Sequence, residues 1–343
     1  MKTITKICIY NRQEDVSLKF GCSLEMVNML TSGPNFIYKQ SKGFWVEFFK
    51  YVSAVGFKGI ELPFNPYNSD PMAFETGRCG IPCNAVAVRS KYGSPEEFLA
   101  MLNEFGIEEV TSVHVNANDA MLEVIAAARK AEDYYGLFRD MCLQAIDHLI
   151  SLKGKGLVIS PTPEIGWLET LFKGDLDEEF TDKTVEILSE VVAEAEKKGV
   201  QVAFKTEYWS LFRGNKMAKL LERVSGSYLC PDLAHMQISG DPTTIVVNAH
   251  KHQVAYMRVS DTGFEDAFNN WKKINAEIPV EGPQKVFCDL GEGKVDILSA
   301  VQVLKDSNYD GWIICEQKKT LDVYRGLLKM GWFVQHKIVE KLR

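Results

Sequence analysis

VQVAFKTE, residues 200–207, is a short apolar run rich in β-forming residues that ends on a lysine and a glutamate. A strand alternates its side chains with period two, so Lys205 and Glu207 project from the same face. Two other runs end in the same way: SYLCPD at 227–232 finishes on Asp232, and GWIICE at 311–316 finishes on Glu316. Three carboxylates therefore stand at the C-terminal ends of three candidate strands.

Outward from these, β-type runs recur at residues 5–10, 58–62, 110–115, 157–160, 200–205, 227–230, 254–259 and 311–315. Stretches of helical period lie between them. In 130–152, Tyr134, Phe138, Met141, Ala145 and Leu149 recur at three and four, and 182–198 ends in Lys-Lys before Gly199, a good helix stop. Eight strands with interposed helices predict an α/β fold, a (β/α)8 TIM barrel. A doubly wound open sheet is the alternative, because periodicity does not report closure. At 343 residues the chain is expected to be one domain, 1–343, with long rim loops after strands 2 and 7. The first loop, 63–94, carries Asn65, Tyr67, Arg78 and Arg89; the second, 261–290, carries Phe264, Phe268 and Trp271. Loops that follow strands line the catalytic face of a barrel, so both suit a lid or an interface.

Composition narrows the function. A net charge of −7 and a pI near 5.5 argue against gripping nucleic acid or an anionic membrane, which needs clustered Lys and Arg. A small molecule fits better. The N-terminal MKTITKICIY has too short an apolar run for a secretion signal, and no run of about 18 apolar residues occurs, so a cytoplasmic protein is expected. The eight cysteines are dispersed, several within β-type runs, as reduced core thiols are. Cys79 and Cys83 have a weakly metal-like spacing with no second pair to complete a site.

In a barrel the C-terminal strand ends meet at one rim, where Glu207, Asp232 and Glu316 would repel one another unless a cation or protons intervene. His235, three residues after Asp232, lies over the same turn and can ligate a metal or bond a substrate hydroxyl. Lys205 is a candidate proton donor or an ion-pair partner, and His114 in SVHVN a candidate acid or base or a hydrogen-bonded core histidine. Trp167, Tyr208 and Trp209 follow strands and suit stacking on a sugar ring or plain packing.

Three segments resemble the xylose isomerase-like barrels, which include sugar phosphate isomerases and epimerases, inosose dehydratases and the endonuclease IV group. They are Pro231-Asp232-Leu233-Ala234-His235, the run DLGEGKVD at 289–296, and YDGWIICE at 309–316, with Gly59-Ile60-Glu61 a weaker match. The resemblance implies one divalent metal, manganese foremost with zinc, cobalt or magnesium as alternatives, held by Glu207, Asp232 and Glu316 with His235, water, substrate or another side chain as the fourth ligand. It also implies that Glu207 and Glu316 serve as acid or base and that His235 faces substrate or a second metal. One position departs: where the family places His-x-x-Asp on strand seven, this chain has Arg258-Val259-Ser260-Asp261. A guanidinium stays protonated and does not ligate metals. Arg258 therefore holds either a substrate oxygen or the rim carboxylates in a salt bridge.

The implied chemistry is proton abstraction beside a carbonyl of a sugar or keto-sugar, as in an isomerase or epimerase. The same enolate can expel a β group, which gives a lyase. The chain is similar in build to the barrel subunit of C-glycoside deglycosidases, which would imply a small β-rich partner subunit, and an oligomer is expected. A non-catalytic sugar-binding subunit is a further alternative. Residues 275–287 lack the additional histidines of the endonuclease relatives, which sets that reading aside.

Overall fold

The computed structural model describes residues 18–27, 41–66, 80–172, 178–283, 285–318, 320 and 322–343. Eight strands run through them: β1 (Lys19–Ser23), β2 (Gly59–Phe64), β3 (Glu109–Asn116), β4 (Gly156–Ser160), β5 (Gln201–Lys205), β6 (Tyr228–Cys230), β7 (Tyr256–Val259) and β8 (Trp312–Cys315). All paired neighbours are parallel, in the order β6-β5-β4-β3-β2-β1-β8-β7. The first strand thus pairs with the last, and the parallel bridges Leu229↔Val254 and Asp232↔Arg258 close the remaining gap between β6 and β7. This closure removes the open-sheet alternative: the fold is a (β/α)8 barrel.

Seven expected strands match within a few residues. The eighth does not: residues 5–10 lie outside the described residues, and the first barrel strand is Lys19–Ser23, KFGCS. Its signal was weak because Gly21 interrupts the apolar run. Gly21 sits against β2, and a methyl built on it would come within 3.0 Å of the Gly59 carbonyl and of Ile314. Close strand packing, not β propensity, selects that residue.

Helices cover the barrel as their periodicity predicts. Asp133–Ser151 buries Tyr134, Phe138, Met141, Ala145 and Leu149, and Glu179–Lys197 ends ahead of Gly199, whose φ of +70° suits glycine alone. These faces and the outward sides of the strands form the main core. The loop after β2 holds a helix of its own, Ala85–Tyr92, capped by the Asn84 side chain accepting from the Ala87 N–H at 2.9 Å. The described cysteines are free; Cys22, Cys83, Cys142, Cys230 and Cys315 are buried, and Cys79 lies outside the described residues. Among the described residues no helix is long and apolar enough to cross a membrane.

Candidate active site

Strand pleating stacks the barrel interior in layers. Val158, Ala203, Cys230, Tyr256 and Ile314 form an apolar layer on β4 to β8. Two residues further along each strand come Ser160, Lys205, Asp232, Arg258 and Glu316, all buried, and Glu207 and Lys318 follow after two more. A short apolar plug thus supports two polar layers at the C-terminal mouth, where barrel sites form.

On the side of β1, β2, β7 and β8, Arg258 is the hub. One terminal nitrogen donates to Glu316 Oε2 at 2.6 Å, Glu25 Oε2 at 3.2 Å and Ser23 Oγ at 3.3 Å, and the other pairs with Glu61. Glu61 is fixed in turn by the hydroxyls of Ser23 (3.2 Å) and Ser112 (2.9 Å). Burial opposes the Arg258 charge, but Glu61, Glu316 and Glu25 outweigh it and raise its pKa well above the ordinary value. Of the two readings left open, the salt bridge is therefore the one observed. His114 joins this network, with Nδ1 2.5 Å from Glu25 Oε1 and Nε2 2.9 Å from Ser160 Oγ.

On the β5 and β6 side, Lys205 Nζ donates to Glu207 Oε1 at 2.8 Å and lies 3.7 Å from Asp232 Oδ2. Lys318, which lies two residues past Glu316, reaches the same place from β8: its Nζ is 3.3 Å from Asp232 Oδ2 and 3.4 Å from Glu316 Oε2. Burial disfavours the Lys318 ammonium, yet Asp232, Glu316 and Glu277 hold its pKa well above the usual lysine value. Burial alone would raise the Asp232 carboxyl; Lys318, His235 and Lys205 instead hold it well below the usual range, and Ser260 donates to Oδ1 at 2.5 Å. The His235 Nδ1 accepts the Tyr208 N–H at 3.2 Å, which leaves Nε2 to carry the ring proton, 3.4 Å from Glu277 Oε1 and 3.9 Å from Asp232 Oδ2.

The loop after β7 roofs this side. Tyr208, Trp209, Ala234, Phe264, Ala276, Val286 and Phe287 form a separate apolar cluster, in which Tyr208, Trp209 and Phe287 contact the His235 ring. Tyr208 Oη donates to the Ala276 carbonyl at 2.6 Å, Trp209 Nε1 to Glu277 Oε1 at 3.1 Å, and the Asn275 N–H to Glu164 at 2.6 Å. Asp261, last residue of the Arg-x-x-Asp pattern, does not face the mouth chemistry. Its carboxylate accepts the N–H groups of Thr262, Gly291, Gly293 and Val295 and so folds the DLGEGKVD run.

The two tryptophans expected after strands stand apart in their surroundings. Trp167, on the helix Ile165–Leu171, packs against the main core, and Trp209 is 1% exposed with its indole N–H committed to Glu277. Glu25, Glu277 and Lys318 join this cluster without having been singled out in the sequence, and Glu61 was noted there only as part of a weaker match. Lys318 had a usable signal, its period-two offset from Glu316. Glu277 had none, because a loop brings it over.

The donor set does not fit a divalent metal. Glu207 Oε1, Asp232 Oδ2 and Glu316 Oε2 each face an ammonium or guanidinium at 2.6–3.4 Å. A metal bonds carboxylate oxygen at about 2.0–2.2 Å, which would press like charges together in a buried space. Among the described residues no group of three His, Cys, Asp or Glu side chains is arranged to hold an ion. In this structure Glu207, Asp232 and Glu316, three of the four expected ligands, are ion-paired with Lys205, Lys318 and Arg258, and His235 lies beside Asp232 and Glu277.

The model of the xylose isomerase-like TIM barrel family matches residues 49–332. The chain belongs to that family. Over 128 residues it is 23% identical to an inosose dehydratase of Clostridium beijerinckii, a stretch covering 36% of this chain and only 43% of that protein. Among solved structures, D-allulose 3-epimerase from Methylomonas sp. superposes with a TM-score of 0.63 at 15% identity, over 94% of this chain and 98% of that one. A barrel of the family from Mycobacterium smegmatis, solved in complex with magnesium, gives 0.61 at 14% identity, over 95% of this chain and 98% of the other. At such identities these likenesses speak for the fold.

Proposed function

We propose that this xylose isomerase-like barrel is an enzyme that moves a proton beside the carbonyl of an uncharged sugar or keto-sugar, as an isomerase or epimerase. One observation carries the reading. Glu207 Oε2, Asp232 Oδ2 and His235 Nε2 are buried without a hydrogen bond, and their side chains are neighbours: His235 Nε2 lies 3.9 Å from Asp232 Oδ2, and Lys205 Nζ reaches both Glu207 (2.8 Å) and Asp232 (3.7 Å). Buried polar atoms cost about 1–3 kcal/mol each when unsatisfied, so such a cluster is a place prepared for the hydroxyls and carbonyl of a ligand.

In this reading Glu207 is the base. Lys205 fixes one of its oxygens and leaves Oε2 to take the proton from the carbon next to the carbonyl. The C–H electron pair becomes the enediolate double bond, and negative charge gathers on the former carbonyl oxygen, where the Lys318 ammonium stabilises it. Return of the proton to the other face or the neighbouring carbon completes the reaction. His235 Nε2–H donates to a substrate hydroxyl, and the roof of Trp209 and Phe287 excludes water. Among the described residues of the mouth, Lys205 and Arg258 are committed to carboxylates and Lys318 to the developing oxyanion, so no further cation there is left for a phosphate group. That favours a free sugar over a sugar phosphate.

A second reading, elimination of a β-hydroxyl from the same enolate, is favoured by the likeness to an inosose dehydratase. Heavy water separates the two: incubation with a panel of free ketoses and keto-inositols is expected to wash deuterium into recovered sugar. Release of a dehydrated product would instead select the elimination. No exchange and no product with any neutral keto-sugar would remove the enzyme reading in favour of a binding subunit.

A further inference from the structure

We infer that Lys205, Arg258 and Lys318 together replace the divalent ion in this barrel, so that the site is assembled without a metal. The matching is one for one. The three carboxylates that the family resemblance assigns to an ion, Glu207, Asp232 and Glu316, meet three fixed cations, at 2.8 Å for Lys205 on Glu207, 3.3 Å for Lys318 on Asp232 and 2.6 Å for Arg258 on Glu316. Each cation comes from a strand or its immediate extension, and each is buried. Three charges spread over β5, β7 and β8 thus do what one central charge would do, which is to let three carboxylates share a small dry space.

The replacement is concerted rather than a single loss. A lone Arg at the strand-seven position would remove one ligand and leave the rest of a site. Here two lysines also fill the space between the remaining carboxylates, and Lys318 bridges Asp232 and Glu316 from a position that no ligand pattern requires. Arg258 is anchored away from the ligand corner by Glu25, Glu61 and Ser23, so it cannot swing aside to admit an ion without leaving Glu61 buried and unpaired. The remaining polariser for a substrate oxygen is then Lys318, a step that rests on the enzyme reading above. The absence of metal dependence does not rest on it.

The test is binding rather than turnover. The purified full chain is incubated in turn with excess Mn²⁺, Zn²⁺ and Mg²⁺, desalted and measured by elemental analysis, and its melting temperature is recorded with each ion and with EDTA. The expected result is no ion above a protein-free blank and no change in melting temperature, because only an ion that binds the folded state shifts it. A stoichiometric ion that is lost in Glu316→Gln overturns the inference. The double substitution Arg258→His with Lys318→Gln is expected to gain a stoichiometric ion. If that variant melts cooperatively and still takes none, the cations are not what excludes the metal and the inference fails. If it does not fold, the wild-type measurement decides alone. Absence of turnover in a metal-free wild type would refute the proposed reaction and leave this inference standing.

Discussion

The two sides of the barrel mouth use the same residue types to different ends. Around Arg258, both terminal nitrogens are bonded although Nε is not, Glu61 is held by two serines as well as the guanidinium, and both His114 nitrogens have a partner. Around Lys205 and Lys318, the ion pairs are just as buried, but Glu207 Oε2, Asp232 Oδ2 and His235 Nε2 lack a hydrogen bond, the last two having only ionic neighbours at 3.3 Å (Lys318) and 3.4 Å (Glu277). Satisfied networks rigidify, whereas unmet groups in a dry pocket wait for a ligand. The first side is therefore read as the frame and the second as the working surface, although every residue on both is charged or polar.

The comparison breaks most severely at Arg258. Arg258→Met removes the guanidinium that Glu61, Glu316 and Glu25 share and leaves Lys318 alone on Glu316, and a loss of about 3–5 kcal/mol in unfolding free energy is expected by chemical denaturation. A variant of unchanged stability would show that the frame lies elsewhere. Glu207→Gln tests the other side. Its amide oxygen still accepts from Lys205, so the melting temperature should stay near that of the wild type while kcat falls by about 10²–10⁴ for the neutral sugar identified by deuterium exchange. Loss of stability with retained turnover would exchange the two roles. The smallest effect is expected from Ser112→Ala, which removes one of the two hydroxyls on Glu61: about 1.5 kcal/mol of stability, with kcat and KM unchanged. A change in KM there would mean that substrate reaches the framed side.

Most of this architecture was legible. Strand alternation and helical period located seven strands and the helices Asp133–Ser151 and Glu179–Lys197, because burial of one face leaves a period that tertiary contacts cannot erase. The strand Lys19–Ser23 was missed because its glycine serves a close contact with β2 and carries no β signal. Glu207, Asp232, His235 and Glu316 were correctly placed together at one rim, since their position after a strand fixes which end they occupy. The sequence left open what lies between them. Lys205 and Arg258 were seen as alternatives to be weighed, and Lys318 was overlooked although its offset from Glu316 put it in the same layer.

The sequence by itself determined the barrel, the rim on which the acids stand and the presence of a permanent charge at Arg258, because each follows from local period or from residue chemistry. Only the tertiary structure decided which cation faces which carboxylate. Pairing depends on distances of a few ångströms between β1, β2, β5, β6, β7 and β8, elements far apart in the chain, and the roof that sets Glu277 over His235 depends on how the loop after β7 folds back. In a buried space those distances decide whether carboxylates gather around an ion or around the protein's own ammonium and guanidinium groups.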